Sequence, residues 1–325
     1  MKVEIFRNTV KRRGVGHSFD MLFAWKKGIE AVGDQVIWRE GKPDVAEWCG
    51  EPTTDCCIMF GYGGKTALNH LKGNRRKIRE AQEARGKKVI TYDGGLFSSF
   101  NNNPARGNKL VFRIAFSSPM RNGNFLNADS PADRWEKIKK NYNIDYRSWR
   151  TQGKHILLCT QPQDNWSMDQ MCPFTWAENT VQEIRKHTDR PIRLRPHPNH
   201  VDKCFFEMKK RNVDIDYCDL KERSVFRWNF LDECKGAWAM VTHNSTAGVD
   251  AAVYGVPVYN TDDKALSWEV ANHSFDNINN PDMPDRTQWL NNLGYAMWSQ
   301  QEIEQGLAWQ HLKPRVLELI KNNKY

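Results

Sequence analysis

None of the eight cysteines of this 325-residue chain belongs to a CxxC pair, which argues against a zinc ribbon or a redox dithiol. Several lie inside apolar, strand-like runs ("DCCIMF", "ILLCT"), where a thiol behaves as a small hydrophobe. A reduced, cytoplasmic protein is the expectation. No window approaches the roughly 18 to 20 apolar residues of a membrane span. "MKVEIFRNTV" goes straight into strand-like alternation, so no signal peptide is expected in this stretch. Neither a GxGxxG nor a Walker A motif is present, so the commonest glycine-rich phosphate loops are excluded. No internal repeat indicates a solenoid or a propeller.

What is present is an ordinary globular composition, 39% apolar and 27% charged, with an unusual 13 tryptophans. The length suits two domains of common size. The net charge of +9 is unevenly spread. Residues 1–150 hold 28 Lys and Arg against 16 Asp and Glu, a balance of +12; residues 151–325 hold 20 against 23, a balance of −3. A first half so basic suits either a polyanionic partner, whose counterions it displaces, or a solubilising surface.

The order of elements points to α/β layers. "KVEIF", "QVIW", "DCCIMF" and "KKVITYD" read as strands, separated by helical stretches such as "FDMLFAWKKGIEAVG" and "NRRKIREAQEARG", the latter closed by Gly86. After "DYRSWRTQGK", read as a linker, the rhythm restarts with "HILLCT", "PIRLRP", "VDIDYCD" and "AWAMVT". The expected fold is two Rossmann-like domains facing a cleft, at 1–150 and 151–300. A C-terminal helix over 301–325, bent at Pro314, can cross back to the first domain.

Two clusters fall just beyond strands of the second half. In "RLRPHPNH" the prolines fix the directions of Arg195 and His197, a cation and an imidazole suited to phosphate or sugar oxygens. In "HNSTAGVDAAVYGVPV" the residues Asn244, Ser245 and Thr246 sit where a helix begins. They are either a good N-cap or, with free backbone N–H groups, an anion site. In the first half, "ITYDGGLFSS" puts Asp93 at a strand end before two glycines, which let a substrate approach. "KRRGVGHS" adds a weak Gly-x-Gly loop and His17. Asp214 and Asp216 form a DxD within an alternating strand and are read as edge residues, so no metal is assigned. Residues 65–88 combine nine Lys and Arg with two Glu; Arg75, Arg76, Lys77 and Arg79 are their sharpest cluster, a solvated helix face or a phosphate-binding one.

"RPHP" followed by "NSTAGVDAAVYGVPV" resembles the nucleotide-sugar half of GT-B glycosyltransferases, in particular the capsule-polysaccharide transferases that move Kdo. The resemblance covers about residues 155–265. It implies a nucleotide-sugar co-substrate, UDP- or CMP-linked, held by Arg195, His197, Asn244, Ser245 and Thr246, with His17 near the cleft and no other cofactor. "ITYDGGLFSS" is similar to a stretch near the acceptor side of the same enzymes, which implies Asp93 as general base, although Tyr92 stands where the family tends to have a second acid. Segments near residue 130 and towards the C-terminus look like phage-encoded transferases. That likeness and the basic first half together lead to an inverting glycosyltransferase acting on a hydroxylated or hydroxymethylated base of phage DNA, in the host cytoplasm and with no stable membrane insertion. Arg75, Arg76, Lys77 and Arg79 are then the nucleic-acid contacts. The alternatives are a capsule or lipid-linked saccharide transferase, a nucleotide-sugar epimerase, and a non-catalytic DNA-binding protein on the same scaffold.

Overall fold

The computed structural model of the protein describes residues 1–10, 17–40, 49–63, 70–100, 111–123, 127–163, 165–218 and 229–322. The basic glycine loop at 11–16 lies outside them. Strand β1 (Lys2–Phe6) is followed by α1 (His17–Ala31), β2 (Gln35–Arg39), β3 (Cys56–Phe60), α2 (His70–Ala84), β4 (Val89–Gly94) and β5 (Phe112–Phe116). Next come α3 (Asp133–Tyr142), β6 (His155–Cys159), α4 (Pro173–Arg185), β7 (Ile192–Arg195), α5 (Val201–Lys210), β8 (Asp216–Tyr217) and α6 (Phe230–Cys234). Then follow β9 (Ala237–Thr242), α7 (Ala247–Val253), β10 (Val258–Asn260), α8 (Thr287–Ala296), β11 (Met297–Trp298), α9 (Gln300–Glu304) and α10 (Leu307–Lys321). No helix among the described residues is long and apolar enough to cross a membrane.

These elements form two compact units. One contains Met1–Gly95, Asn108–Ala128 and Tyr295–Tyr325; the other contains Leu96–Gly107 and Asp129–Gly294. The division differs from a cut near residue 150. The segment read as a linker is bound into the second unit, because Arg147 and Arg150 donate their backbone N–H groups to the carbonyls of Val253 and Gly255. Arg286 in turn donates to the Arg147 carbonyl at 2.6 Å.

The first unit holds a six-stranded sheet of order β11-β5-β4-β3-β1-β2. β2, β1, β3 and β4 run parallel, β5 pairs antiparallel with β4, and β11 pairs antiparallel with β5. A parallel strand covered on both faces reads as a continuous apolar run, which explains why β1, β3 and β4 are buried along almost their whole length. Glu4 breaks that run and is fully buried. Its carboxylate accepts from the Thr53 and Thr54 N–H groups at 2.7 and 3.1 Å, from both hydroxyls, and from Arg39. Burial pushes the Glu4 carboxyl up, but the Thr54 and Thr53 N–H bonds and Arg39 outweigh it and hold the group below the usual range.

The stretch expected to be one bent helix is two, α9 and α10, parted at Gly306 (φ 81°). A capping box of Ser299 and Glu302 opens α9. The break follows from close packing on α1: a Cβ at Gly28 would lie 1.9 Å from the Ile303 carbonyl oxygen, and one at Gly306 would lie 2.8 Å from that of Gly28. α10 nevertheless continues through Pro314. Asp34 ties the α1–β2 turn to α10. It accepts from the Trp309 indole at 2.7 Å and from the Lys313 ammonium at 2.9 Å, and also binds the Met1 amino group.

The second unit holds a sheet of order β10-β9-β6-β7-β8, parallel throughout. The chain builds outward from β6 through β7 to β8, then returns to the far side of β6 with β9 and β10. The reversal between β6 and β9 is the topological switch point, where an open α/β sheet leaves a crevice beyond its strand ends. Asp214 and Asp216 are both exposed at the β8 edge.

Asp34 generates a stability prediction. Burial opposes its charge, but the Met1, Lys313 and Trp309 bonds bring its carboxyl from 3.8 down to about 2. A depressed carboxyl adds stability above its unfolded pKa and loses it as pH falls through the folded one, so this contribution fades between about pH 4 and 2. Asp34→Asn is expected to destabilise the first unit by about 3 kcal/mol at neutral pH, because it strands buried donors. Denaturant unfolding followed by tryptophan fluorescence checks this, and an unchanged midpoint refutes it.

Candidate functional site

At the switch point of the second sheet, Thr160 and Gln161 follow β6, and His243 and Asn244 follow β9. Gln161 and Asn244 clasp each other. The Gln161 amide donates to the Asn244 side-chain oxygen at 2.7 Å, and the Asn244 backbone N–H donates back to Gln161 at 3.2 Å. The Asn244 amide also donates to the Ser167 carbonyl at 2.8 Å and to Asp262, while Gln161 reaches the Ser167 hydroxyl at 2.6 Å. Asn244 is 2% exposed. Its hydrogen-bonding groups are engaged inside the protein, so it braces the loops and does not itself face a ligand. Gln161, Ser167 and Asp262 escaped the sequence reading; the usable signal was a polar residue directly after "HILLCT".

The start of α7 also differs from the expected cluster of free amides. The Ser245 hydroxyl accepts from the Ala247 N–H at 3.3 Å, the Ser245 carbonyl from Gly248 and the Thr246 carbonyl from Val249, both at 3.0 Å. The first amides of the helix are therefore bonded within the turn. Ser245 is partly buried, and Thr246 is exposed with no capping bond from its side chain. What this turn offers outward is hydroxyls and the helix dipole.

β7 lies on the other side of β6, so its C-terminal loop is about 10 Å from that of β9. Arg195, its last residue, is 5% exposed; its guanidinium donates to Asn229 at 3.1 Å and lies 5.5 Å over the Phe230 ring. His197 is half-buried in the turn that opens α5. Its Nδ1 accepts the Asn199 N–H at 3.2 Å, which places the proton of the neutral ring on Nε2, a donor. The Arg195–His200 loop thus has an inner, braced cation and an outer imidazole.

His243, buried beside Asn244, packs its ring 6.0 Å from Trp176. Its Nδ1 lies 2.9 Å from the Thr261 hydroxyl, whose oxygen accepts from the Trp176 indole at 2.8 Å, and its Nε2 lies 3.6 Å from Asp262. Burial pulls the imidazole pKa down against the pull of Asp262.

In the first unit Asp93 is the penultimate residue of β4, half-buried, with its Oδ1 accepting the Gly94 N–H at 2.7 Å. Directly across the antiparallel ladder stands Arg113, its Nη2 at 3.9 Å from Asp93 Oδ2. His17 is the first residue of α1, and its side chain lies outside the described residues. The four cations of α2 do not share one surface. Arg75 turns inward, donating to the Thr9 carbonyl at 2.7 and 2.9 Å and lying 4.8 Å over the Phe60 ring. Arg79 binds Glu83 at 2.7 Å and covers the Tyr62 ring at 5.0 Å. Arg76 lies 3.8 Å from Glu80, and Lys77 is exposed. Arg75 is thus structural and the acidic residues of the helix temper two of the others.

No family model matches the sequence, and no curated protein sequence does. Among solved structures, the KpsC beta Kdo 2,4 transferase of Thermosulfurimonas dismutans aligns with a TM-score of 0.50 at 13% identity, over 91% of this chain and 90% of that one. The KpsC beta Kdo 2,7 transferase of the same organism gives 0.49 at 13% identity, over 96% and 100%. A UDP-GlcNAc 2-epimerase of Methanocaldococcus jannaschii, solved with UDP-GlcNAc and UDP, gives 0.31 at 13% identity, over 89% and 98%. The first of these likenesses shows a shared fold, so the expected GT-B-like α/β architecture of two parallel-rich sheets stands.

One buried acid near the α7 turn yields a pH prediction. Asp250 is 4% exposed and accepts from the Ser99 N–H at 3.2 Å and the Ser99 hydroxyl at 2.5 Å. Burial pushes its carboxyl from 3.8 up to about 6, outweighing the bonds from Ser99 and the Phe97 N–H. A raised carboxyl contributes stability that is complete below the unfolded pKa and is lost as pH rises through the folded one. Asp250→Asn is therefore expected to match wild type near pH 4 and to exceed it by about 1 to 3 kcal/mol at pH 8. Melting temperatures across that range test this, and parallel curves for the two proteins contradict it.

Proposed function

We propose that the protein is an inverting glycosyltransferase, moving a sugar from a nucleotide-sugar donor to a hydroxyl acceptor. The observation that carries the reading is the pair of turns at Arg195–His200 and Asn244–Thr246, which flank β6 at the switch point of the second sheet. An outer layer of His197 Nε2–H, Ser245 and Thr246 meets the donor's phosphate oxygens. An inner layer of Arg195, Gln161 and Asn244 holds that layer in place. Donors and dipoles fixed before the reaction stabilise charge on a departing phosphate without reorganising, so the assignment requires no metal. The donor is a UDP- or CMP-linked sugar.

Asp93 is the proposed base. In the transfer its carboxylate takes the proton of the acceptor hydroxyl as that oxygen bonds to the anomeric carbon, and the bond from that carbon to the donor phosphate oxygen breaks, releasing the nucleotide. For the acceptor we carry forward a hydroxylated or hydroxymethylated base in phage DNA, on the strength of the +12 to −3 charge asymmetry between the halves. The α2 cluster supports this less than its composition promised, since Arg75 faces the Thr9 carbonyl. A saccharide acceptor is the second reading, favoured by the half-buried setting of Asp93.

The test is mass spectrometry of nucleosides after incubation with hydroxymethylated DNA and a panel of UDP- and CMP-sugars. A sugar-sized gain on one base supports both donor and acceptor; no gain, with donor binding retained, removes DNA. In whichever assay shows turnover, Asp93→Asn is expected to lower kcat by about 10²- to 10⁴-fold with donor affinity kept. His197→Ala is expected to weaken donor binding by about tenfold. Full turnover in the Asp93 variant would remove Asp93 from the base role.

A further inference from the structure

Within the second unit, one acid fastens the segment Leu96–Phe100 to helix α7. Leu96, Phe97 and Phe100 are buried, and the two rings lie 5.4 Å from Trp135 of α3 and 6.4 Å from Tyr254. Between them Ser99 donates its N–H and its hydroxyl to Asp250 Oδ2, and the Phe97 N–H bonds the same carboxyl. The Phe100 N–H closes the turn on the Phe97 carbonyl at 3.2 Å. Phe97 is held at φ 63°, in the left-handed region that a bulky L-residue rarely adopts. The docked segment is thus bent against its own preference, and its contacts with α7 and α3 keep it there.

Asp250 is unevenly satisfied. Both donors of Ser99 fall on Oδ2, while Oδ1 is buried with no hydrogen-bond partner among the described residues. A carboxylate spreads its charge over both oxygens, so ionisation leaves half of it uncompensated away from water. No neighbouring cation is bonded to it among the described residues. Of the elements packed on α7, neither β9 nor the Ser98–Phe100 turn has a titratable residue, and β10 has only Tyr259, whose hydroxyl donates to Asn277. Cys234 of α6 feels the Asp250 charge, and burial keeps that thiol protonated. Tyr254 follows α7 and lies under the Arg147 guanidinium. Arg150 donates to the Cys234 and Ala237 carbonyls, and Arg286 to that of Ala252.

We propose that Asp250 and Ser99 form a pH-sensitive latch, which holds Leu96–Phe100 on α7 while the acid is neutral and loosens when it is charged. Once the segment lifts, the carboxylate gains water on both oxygens and Phe97 leaves the left-handed region, so charge and backbone strain act in the same direction. The sign follows from linkage. In the closed state burial pushes the carboxyl up to about 6, and in the open state it returns towards 3.8. The open state therefore binds its proton less tightly, and a rise in pH favours opening. The latch goes beyond the transferase reading and does not depend on it. Where that reading holds, the latch anchors the chain three residues after the proposed base, since Asp93 is followed by Gly94, Gly95 and Leu96.

Amide hydrogen exchange on the full chain tests this with neither donor nor turnover. The Phe97, Ser99 and Phe100 amides are the reporters, and those of β6 and β9 are the reference. The reporters are expected to be less protected than the reference amides, the mark of local opening. After correction for the intrinsic pH dependence of exchange, their protection is expected to fall about tenfold from pH 5 to pH 8. Asp250→Asn, which cannot become charged, is expected to keep them protected with no dependence on pH. Reporter protection that ignores pH in the wild type, or that equals that of β6 and β9, overturns the latch. So does the same pH dependence in Asp250→Asn. The first two outcomes are read on wild-type protein and decide the matter even if the variant fails to fold. Since no step of the experiment uses a sugar or a nucleotide, its failure leaves the transferase reading untouched, and absence of turnover leaves the latch standing.

Discussion

Strands covered on both faces leave no water for a polar group to fall back on, and this obligation organises both units. Glu4 on β1 meets it within the protein, with two backbone N–H groups, two hydroxyls and Arg39 around one carboxylate. Asn244 meets it through Gln161, Ser167 and Asp262, and in doing so joins the loops after β6, β9 and β10. Asp250 meets it by partial neutralisation instead. Arg113 meets it in part, with Nη2 at 3.9 Å from Asp93 and Nε and Nη1 without a partner. Groups that satisfy the obligation internally are scaffold, whereas polar groups at the surface are not bound by it.

This distinction divides the residues of the turns after β7 and β9, which a sequence presents as undifferentiated clusters. Arg195 and Asn244 have the chemistry of ligands but lie under the surface, each bound to neighbours. His197, Ser245 and Thr246 lie above them. A substitution in the inner layer moves the loops and one in the outer layer removes a contact, so the two should differ in whether stability changes along with affinity.

Much of the architecture is legible in the sequence. Apolar runs gave most strands, Gly86 closes α2 with positive φ, and the restart of strands after "DYRSWRTQGK" marked a second sheet. What was illegible depended on contacts between residues distant in sequence. Nothing in "NRRKIRE" says that Arg75 turns towards Thr9 while Lys77 points out, because helical position fixes a direction but not what waits there. Asp93 and Arg113 are twenty residues apart on strands whose antiparallel register no local pattern specifies, so their pairing was invisible. The break at Gly306 was missed for a similar reason: its cause is the surface of α1, not the sequence of the helix.

The path of the chain has a further consequence. The first unit is assembled from three stretches and the second from two, with Leu96–Gly107 entering the second unit before the chain returns to the first. No single peptide bond separates the halves. A cut anywhere between Gly107 and Asp129 leaves two fragments that each contain parts of both units. The same restriction bears on recombination: neither unit can be exchanged for another by joining two genes at one point.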